Sequence, residues 1–104
     1  MPQFDVYANP IRAALRAYPF IVNLQSTAAG IGADTIVAPL APRSSLAPVA
    51  GRLMPAVSLL GVEYVVVVPA LTSLRTRDLV GSTQSLSGSR GELLAAIEYL
   101  FHGV

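Results

Sequence analysis

The sequence predicts a mainly β protein in which an antiparallel sheet curls into a small barrel and one C-terminal α-helix packs on or beside it. Short apolar segments recur at close intervals, and prolines, glycines and serines separate them. No helix-length segment alternates with these strands, so a parallel sheet is not expected. Only the stretch from Ser89 onward has a clear helical pattern. At 104 residues the chain is expected to form a single domain, residues 1–104.

The first predicted strand is residues 3–7, where apolar and polar residues alternate. Phe4 and Val6 are expected to face the core, with Asp5 and Tyr7 on the opposite face. Residues 11–17 are expected to form one or two helical turns, with Asn9 as cap and Pro10 at the first helical position.

The second predicted strand is residues 20–25, with Asn23 and Gln25 facing outward and the alternate apolar residues facing inward. A glycine-containing loop over 26–34 leads to a third strand over 35–40. Pro39 marks an edge or an end of that strand, because proline cannot donate to a ladder. Residues 41–52 form the longest candidate binding loop.

A hairpin is predicted over residues 56–68, with Gly61 and Val62 as a type II′ turn. This pair is expected at the centre of the sheet. The run of valines from 65 to 68 is apolar on both faces, so both faces require cover. A short strand over 71–74 and a polar turn over 75–78 follow.

The final helix is predicted over about residues 89–102, with Ser89 and Glu92 forming a capping box and Gly103 just past its end. Its apolar stripe needs a sheet to cover it. The stripe consists of Leu93, Leu94, Ala96, Ile97, Leu100 and Phe101.

The composition is 53% hydrophobic and 12% charged, with a net charge of +1. A surface so poor in charge favours self-association, and the neutral balance argues against direct nucleic-acid binding. The absence of cysteine excludes disulfides and thiolate chemistry. Leu53 to Leu71 is apolar enough to consider as a membrane span, but Glu63, two prolines and the valines favour strands. No signal peptide is expected, and the predicted location is the cytoplasm.

The inventory of reactive side chains predicts neither an enzyme nor a metal or cofactor site. His102 is the only histidine, and no nucleophile motif or metal-ligand pair surrounds it. Gly30 and Gly32 lack the context of a phosphate loop and are interpreted as a turn. Two interpretations of His102 remain open at this point: a solvated helix end, or an exposed tip that contacts a partner.

Several blocks together resemble the CcdB family, the toxins of bacterial type II toxin–antitoxin systems. The resemblance is colinear over nearly the whole chain, apart from a small insertion between Ala8 and Ala17. The blocks that carry it are residues 3–7, 22–26, 36–41, 53–57 and 86–87, followed by the helix that ends Leu100-Phe101-His102-Gly103-Val104.

This resemblance implies an SH3-like barrel, the CcdB-like toxin fold, in a homodimer whose two C-terminal helices end side by side. It also implies a toxin that poisons DNA gyrase by inserting this tip between the gyrase A subunits, without catalysis. A cognate CcdA-like antitoxin with an acidic segment would neutralise it. The pair would repress its own operon and support plasmid maintenance, so that DNA is contacted only through the complex.

By position, the resemblance assigns gyrase contacts to His102, Gly103 and Val104. It places Phe101, with Glu98 and Ile97, in support of the tip at the dimer interface. The family's toxins usually have tryptophan where this chain has His102, and losing that aromatic anchor is expected to cost about 2 kcal/mol of binding free energy. The expected antitoxin contacts are Arg12, Arg16, Arg43 and Arg52.

Two other functions are compatible with the same barrel. A non-toxic homologue would retain only antitoxin binding and operon autoregulation, which the substitution at His102 would permit. An mRNA endonuclease toxin would need a basic groove and an acid–base pair, and the near-neutral charge argues against it.

Overall fold

The computed structural model describes residues 2–26, 28, 32–45, 51–82 and 84–103. Within them, seven short strands form one nearly closed, barrel-like sheet, and a single α-helix follows at the C-terminal end. This confirms the predicted fold class. The elements are β1 (Asp5–Ala8), β2 (Phe20–Asn23), β3 (Asp34–Pro42), β4 (Ala56–Leu59), β5 (Val62–Val66), β6 (Thr72–Arg75), β7 (Gln84–Ser85) and α1 (Arg90–His102).

The sheet is antiparallel throughout, with the order β4-β5-β3-β2-β1-β7, and β6 also pairs with β3. The predicted placement of the 56–68 hairpin at the centre was wrong, because β4 is an edge strand. The central strand is β3. It spans nine residues and pairs with three other strands, so it connects the two halves of the sheet.

Pro39 lies inside β3, which corrects the expectation of an edge or an end. One long side of β3 is shared: residues 34–37 pair with β6 and residues 40–42 with β5. Pro39 falls between these two ladders, where its carbonyl accepts from the Val67 N–H at 2.9 Å. A residue without an N–H is tolerated there because no ladder needs its donor.

Two apolar clusters cover the two faces of the sheet. The larger one includes Val6, Val22 and Ala38, which lie in register on one face, and it also contains Leu93 and Ala96 of α1. The smaller one, on the opposite face, contains Tyr7, Ile21, Val37 and Leu79, with Leu74 packed against it.

The second cluster explains two wrong predictions, which placed Tyr7 and Asn23 on an outward face. Tyr7 is 5% exposed and Asn23 is 1% exposed. The face that alternation marked as outward is covered by Leu74 and Leu79, which come from later in the chain. Asn23 is satisfied there because its Nδ2 donates to the Pro2 carbonyl at 3.1 Å and its Oδ1 accepts from the Gln25 N–H at 2.8 Å.

The β4–β5 turn is one residue earlier than predicted. Leu59 pairs with Val62, so Leu60 and Gly61 are the turn residues. Their φ angles are +52° and +79°, and positive values at both positions define a type I′ turn instead of type II′. Strand β5 ends at Val66, earlier than predicted, and Val68 begins a 3-10 turn over Val68–Ala70. No helix in the described part of the chain is long and apolar enough to cross a membrane.

Helix α1 begins without the predicted capping box. Ser89 makes no side-chain cap hydrogen bond, because it ends a 3-10 turn over Ser87–Ser89 and its φ and ψ of −104° and 17° differ from those of a usual cap. The helix end was predicted correctly. Gly103 adopts a left-handed conformation with φ of 74°, and its N–H donates to the Tyr99 carbonyl at 2.9 Å.

Two local features differ from the prediction. The segment after β1 forms a short 3-10 turn over Arg12–Ala14, shorter than the one or two helical turns predicted over 11–17. Strand β7 was not predicted, because its two residues lie in a polar stretch, and it pairs with the start of β1.

Replacing Asn23 with alanine is expected to lower the free energy of unfolding by about 1–3 kcal/mol, because the Pro2 carbonyl and the Gln25 N–H then lose their buried partner. Urea denaturation at one fixed protein concentration measures this change. Gln84→Ala, which removes an exposed amide from another strand, should stay within about 0.5 kcal/mol of the parent. An equal effect of both substitutions would contradict the assigned role of Asn23.

Candidate functional site

The last residues of α1 are exposed to solvent. Near its start the helix is fixed by Leu93 and Ala96, which are fully buried against the sheet. At its end, Phe101 is 65% exposed, and His102 and Gly103 are exposed as well. Val104, the third residue predicted at the tip, lies outside the described residues. The structure therefore places Phe101, His102 and Gly103 together on one exposed tip.

The side chains just before the tip differ in their exposure to solvent. Ile97 and Leu100 are half-buried and pack against the larger cluster, while Glu98 is exposed. A phenylalanine ring left mostly in water costs free energy that a second surface would recover, at roughly 25 cal/mol per Å² of apolar area. The tip is thus suited to contact another protein surface.

Arg52 is the one predicted antitoxin residue that packs against the helix in the described part of the chain. Its guanidinium carbon lies 4.6 Å from the centre of the Tyr99 ring. This stacking attaches the end of the predicted 41–52 loop to α1. The first two residues of that predicted loop belong to β3, and residues 46–50 lie outside the described residues. Beside it is a shallow groove of about 520 Å³, lined by Gly51, Arg52, Pro55, Glu92 and Ala95.

The other three predicted arginines occupy two separate places. Arg43 follows β3 and forms an ion pair of 3.6 Å with Glu63, in which both side chains are more than half exposed. Arg12 and Arg16 are exposed on the connection from β1 to β2. The four arginines do not form one cluster through any contact among the described residues.

Among the described residues, no group of three histidine, aspartate or glutamate side chains is placed to hold a metal ion. The pKa of Tyr7 is raised, mainly by burial and secondarily by the negative charge of Asp5. Tyr7 belongs to the core cluster under the sheet.

Sequence reasoning missed one surface feature, the pair of exposed aliphatic side chains at Ile11 and Leu15. They are 45% and 42% exposed and lie next to Arg12 and Arg16. The signal was the presence of two large aliphatic residues in a segment otherwise made of alanine and arginine. The segment was instead interpreted only through its cap and its proline.

A family model with the description CcdB protein matches residues 3–103, which is nearly the whole chain. No curated protein matches the chain.

We expect Phe101→Glu to weaken self-association at least ~100-fold, because an aromatic ring would be replaced by a charge in both copies of a dimer interface. Sedimentation velocity over a range of micromolar concentrations measures the change. Val80→Glu is the matched control, since Val80 is 72% exposed and lies outside the predicted interface. A parent protein that sediments as a monomer, or a dimer unaffected by Phe101→Glu, would contradict this expectation.

Proposed function

This chain belongs to the CcdB family, and from that premise we propose that it poisons DNA gyrase by inserting its C-terminal tip into the enzyme. Family membership makes it a toxin of the CcdB type. In the proposed mechanism, a homodimer presents two copies of the tip side by side. The tips enter between the gyrase A subunits and hold the enzyme in its cleaved-DNA state.

The observation that carries this proposal is the contrast along α1. Leu93 and Ala96 are fully buried, whereas Phe101 is 65% exposed. A helix packed on the barrel as far as Leu100 presents its exposed last residues as a preformed surface, so little conformational entropy is lost when a partner binds. Trapping a cleaved complex requires only that the tip bind this state better than the resealed state.

A toxin that acts by inserting its tip into the enzyme needs no catalytic residue. Its effect depends on the free energy of contact at His102, Gly103 and Val104, supported by Phe101, Glu98 and Ile97. We therefore propose that the protein is not an enzyme and uses no cofactor.

His102 limits the strength of the proposed contact. The resemblance implies that the family's tryptophan stacks on an arginine of gyrase. A neutral imidazole has a smaller ring face than that indole, and a protonated imidazole would repel the gyrase arginine instead of attracting it. Losing a central aromatic anchor costs about 2 kcal/mol, a factor of about thirty in affinity. This residue also favours the second candidate, a non-toxic homologue that retains only antitoxin binding and operon autoregulation.

The proposed antitoxin is a CcdA-like protein with a disordered acidic segment, and the toxin is proposed to act in the cytoplasm. The exposed arginines at 12, 16, 43 and 52 are its proposed contacts. Arg43 is already paired with Glu63, so an acidic segment would exchange one weak surface ion pair for another there. Arg12 and Arg16 therefore contribute more to this interaction than Arg43.

A gyrase cleavage assay tests the proposed function. The purified toxin should increase the fraction of linear DNA released after denaturation of the gyrase complex. His102→Trp should lower the half-maximal concentration by roughly thirtyfold, since it restores a large aromatic anchor. Val80→Trp, which adds the same ring at another exposed position, should change nothing.

The results separate the candidate functions. No stabilised cleavage by either the parent or His102→Trp would overturn gyrase poisoning. Cleavage by His102→Trp alone would establish the non-toxic homologue. Degradation of RNA by the purified protein would establish an endonuclease instead.

A further inference from the structure

Strand β4 has one edge that is paired with β5 and one edge that is not. The residues that flank the two-residue turn close the hairpin as a hydrogen-bonded pair, and bonded and non-bonded pairs alternate along an antiparallel ladder. The Val66 N–H donates to the Pro55 carbonyl at 3.0 Å, which fits this alternation. Ala56 and Ser58 occupy the non-bonded positions. Their backbone N–H and carbonyl groups therefore point away from β5.

This outer edge of β4 is open to solvent. In the part of the chain that the structure describes, the backbone of neither Ala56 nor Ser58 hydrogen-bonds to any element on this side, and both residues are exposed. Val57 and Leu59 alternate with them and are buried in the larger cluster, which fixes the position of the strand. The outer edge is thus a rigid row of donors and acceptors that can pair with one more strand.

The outer edge lacks the features with which most proteins block such pairing. An exposed edge is usually interrupted by charged side chains or by proline. Residues 53–62 contain no charged residue, and β4 itself contains no proline. Leu60 in the adjoining turn is 73% exposed and adds apolar surface beside the edge. An incoming strand therefore meets no charge and no missing backbone donor.

We infer that β4 pairs in the antiparallel direction with β4 of a second copy of this chain. A twofold axis at Val57 places Ala56 of each copy opposite Ser58 of the other, so that every outward N–H and carbonyl of the two strands gains a partner. The facing side chains are small, and they allow the strands to approach closely. Leu60 of each copy then lies near Met54 of the other, so one uncharged segment supplies both halves of the contact.

This contact is separate from the dimer interface proposed at the C-terminal tip. Strand β4 ends the sheet order on one side, whereas Phe101 belongs to α1. Two four-residue strands bury less than the roughly 1,200 Å² of a stable interface, so the pairing is weak and depends on protein concentration. It links tip dimers into larger assemblies but does not require them. Its failure would therefore leave the proposed gyrase poisoning intact.

Amide hydrogen exchange on the full-length protein tests this inference, because the amides of Ala56 and Ser58 have no acceptor within one copy. Exchange measured by NMR should be at least ~3-fold slower at both amides at ~1 mM protein than at ~20 µM. Equal rates at the two concentrations would overturn the pairing of β4 with a second copy.

Two substitutions at Ser58 distinguish strand pairing from association through any other surface. Ser58→Pro removes an outward N–H and leaves the bonds between β4 and β5 in place, so the hairpin is expected to persist. The protection of the Ala56 amide at high concentration should disappear in Ser58→Pro and stay within about twofold of the parent value in Ser58→Ala, which keeps the N–H.

Circular dichroism verifies that each variant is folded. Protection of Ala56 that persists in folded Ser58→Pro would overturn the inference. If Ser58→Pro does not fold, the comparison of the two concentrations on the parent protein decides the question.

Discussion

The packing of α1 on the barrel is the contact on which the rest of the structure depends. Leu93 and Ala96 are fully buried in the larger cluster together with residues of most strands of the sheet. Deleting a buried leucine of this kind typically costs 2–5 kcal/mol, a large part of the stability of a domain of this size. The same burial orients the helix, so the exposed end has a defined direction. Core stability and presentation of the tip are therefore linked through one interface.

The low charge content leaves large apolar side chains exposed on the surface. With 12% charged residues, the surface cannot be covered uniformly by ionised groups. Large apolar side chains of the described residues are exposed at the tip and at several other places, namely Ile11, Leu15, Ile36, Leu60, Val62, Val80 and Phe101.

Alternation and spacing predicted most of the fold, and long-range cover accounts for most of the errors. The helix, its glycine end and the main strands follow from local patterns. Tyr7 and Asn23 were assigned outward because alternation shows that a strand has two faces but not whether a distant segment covers the second one. Pro39 lies inside a strand because two different ladders meet there, which depends on topology. At the site, the tip residues came from resemblance, whereas the stacking of Arg52 on Tyr99 needed the folded chain, since the two residues lie far apart in the sequence.

Site-specific crosslinking tests whether residue 102 enters gyrase, as proposed. The chain has no cysteine, so His102→Cys provides a unique thiol that can be labelled with benzophenone maleimide, and Val80→Cys provides the same label at another exposed position. Irradiation with gyrase and DNA should crosslink the label at position 102 to the gyrase A subunit, with little product from position 80. Equal yields from both positions, or no product from position 102, would contradict it.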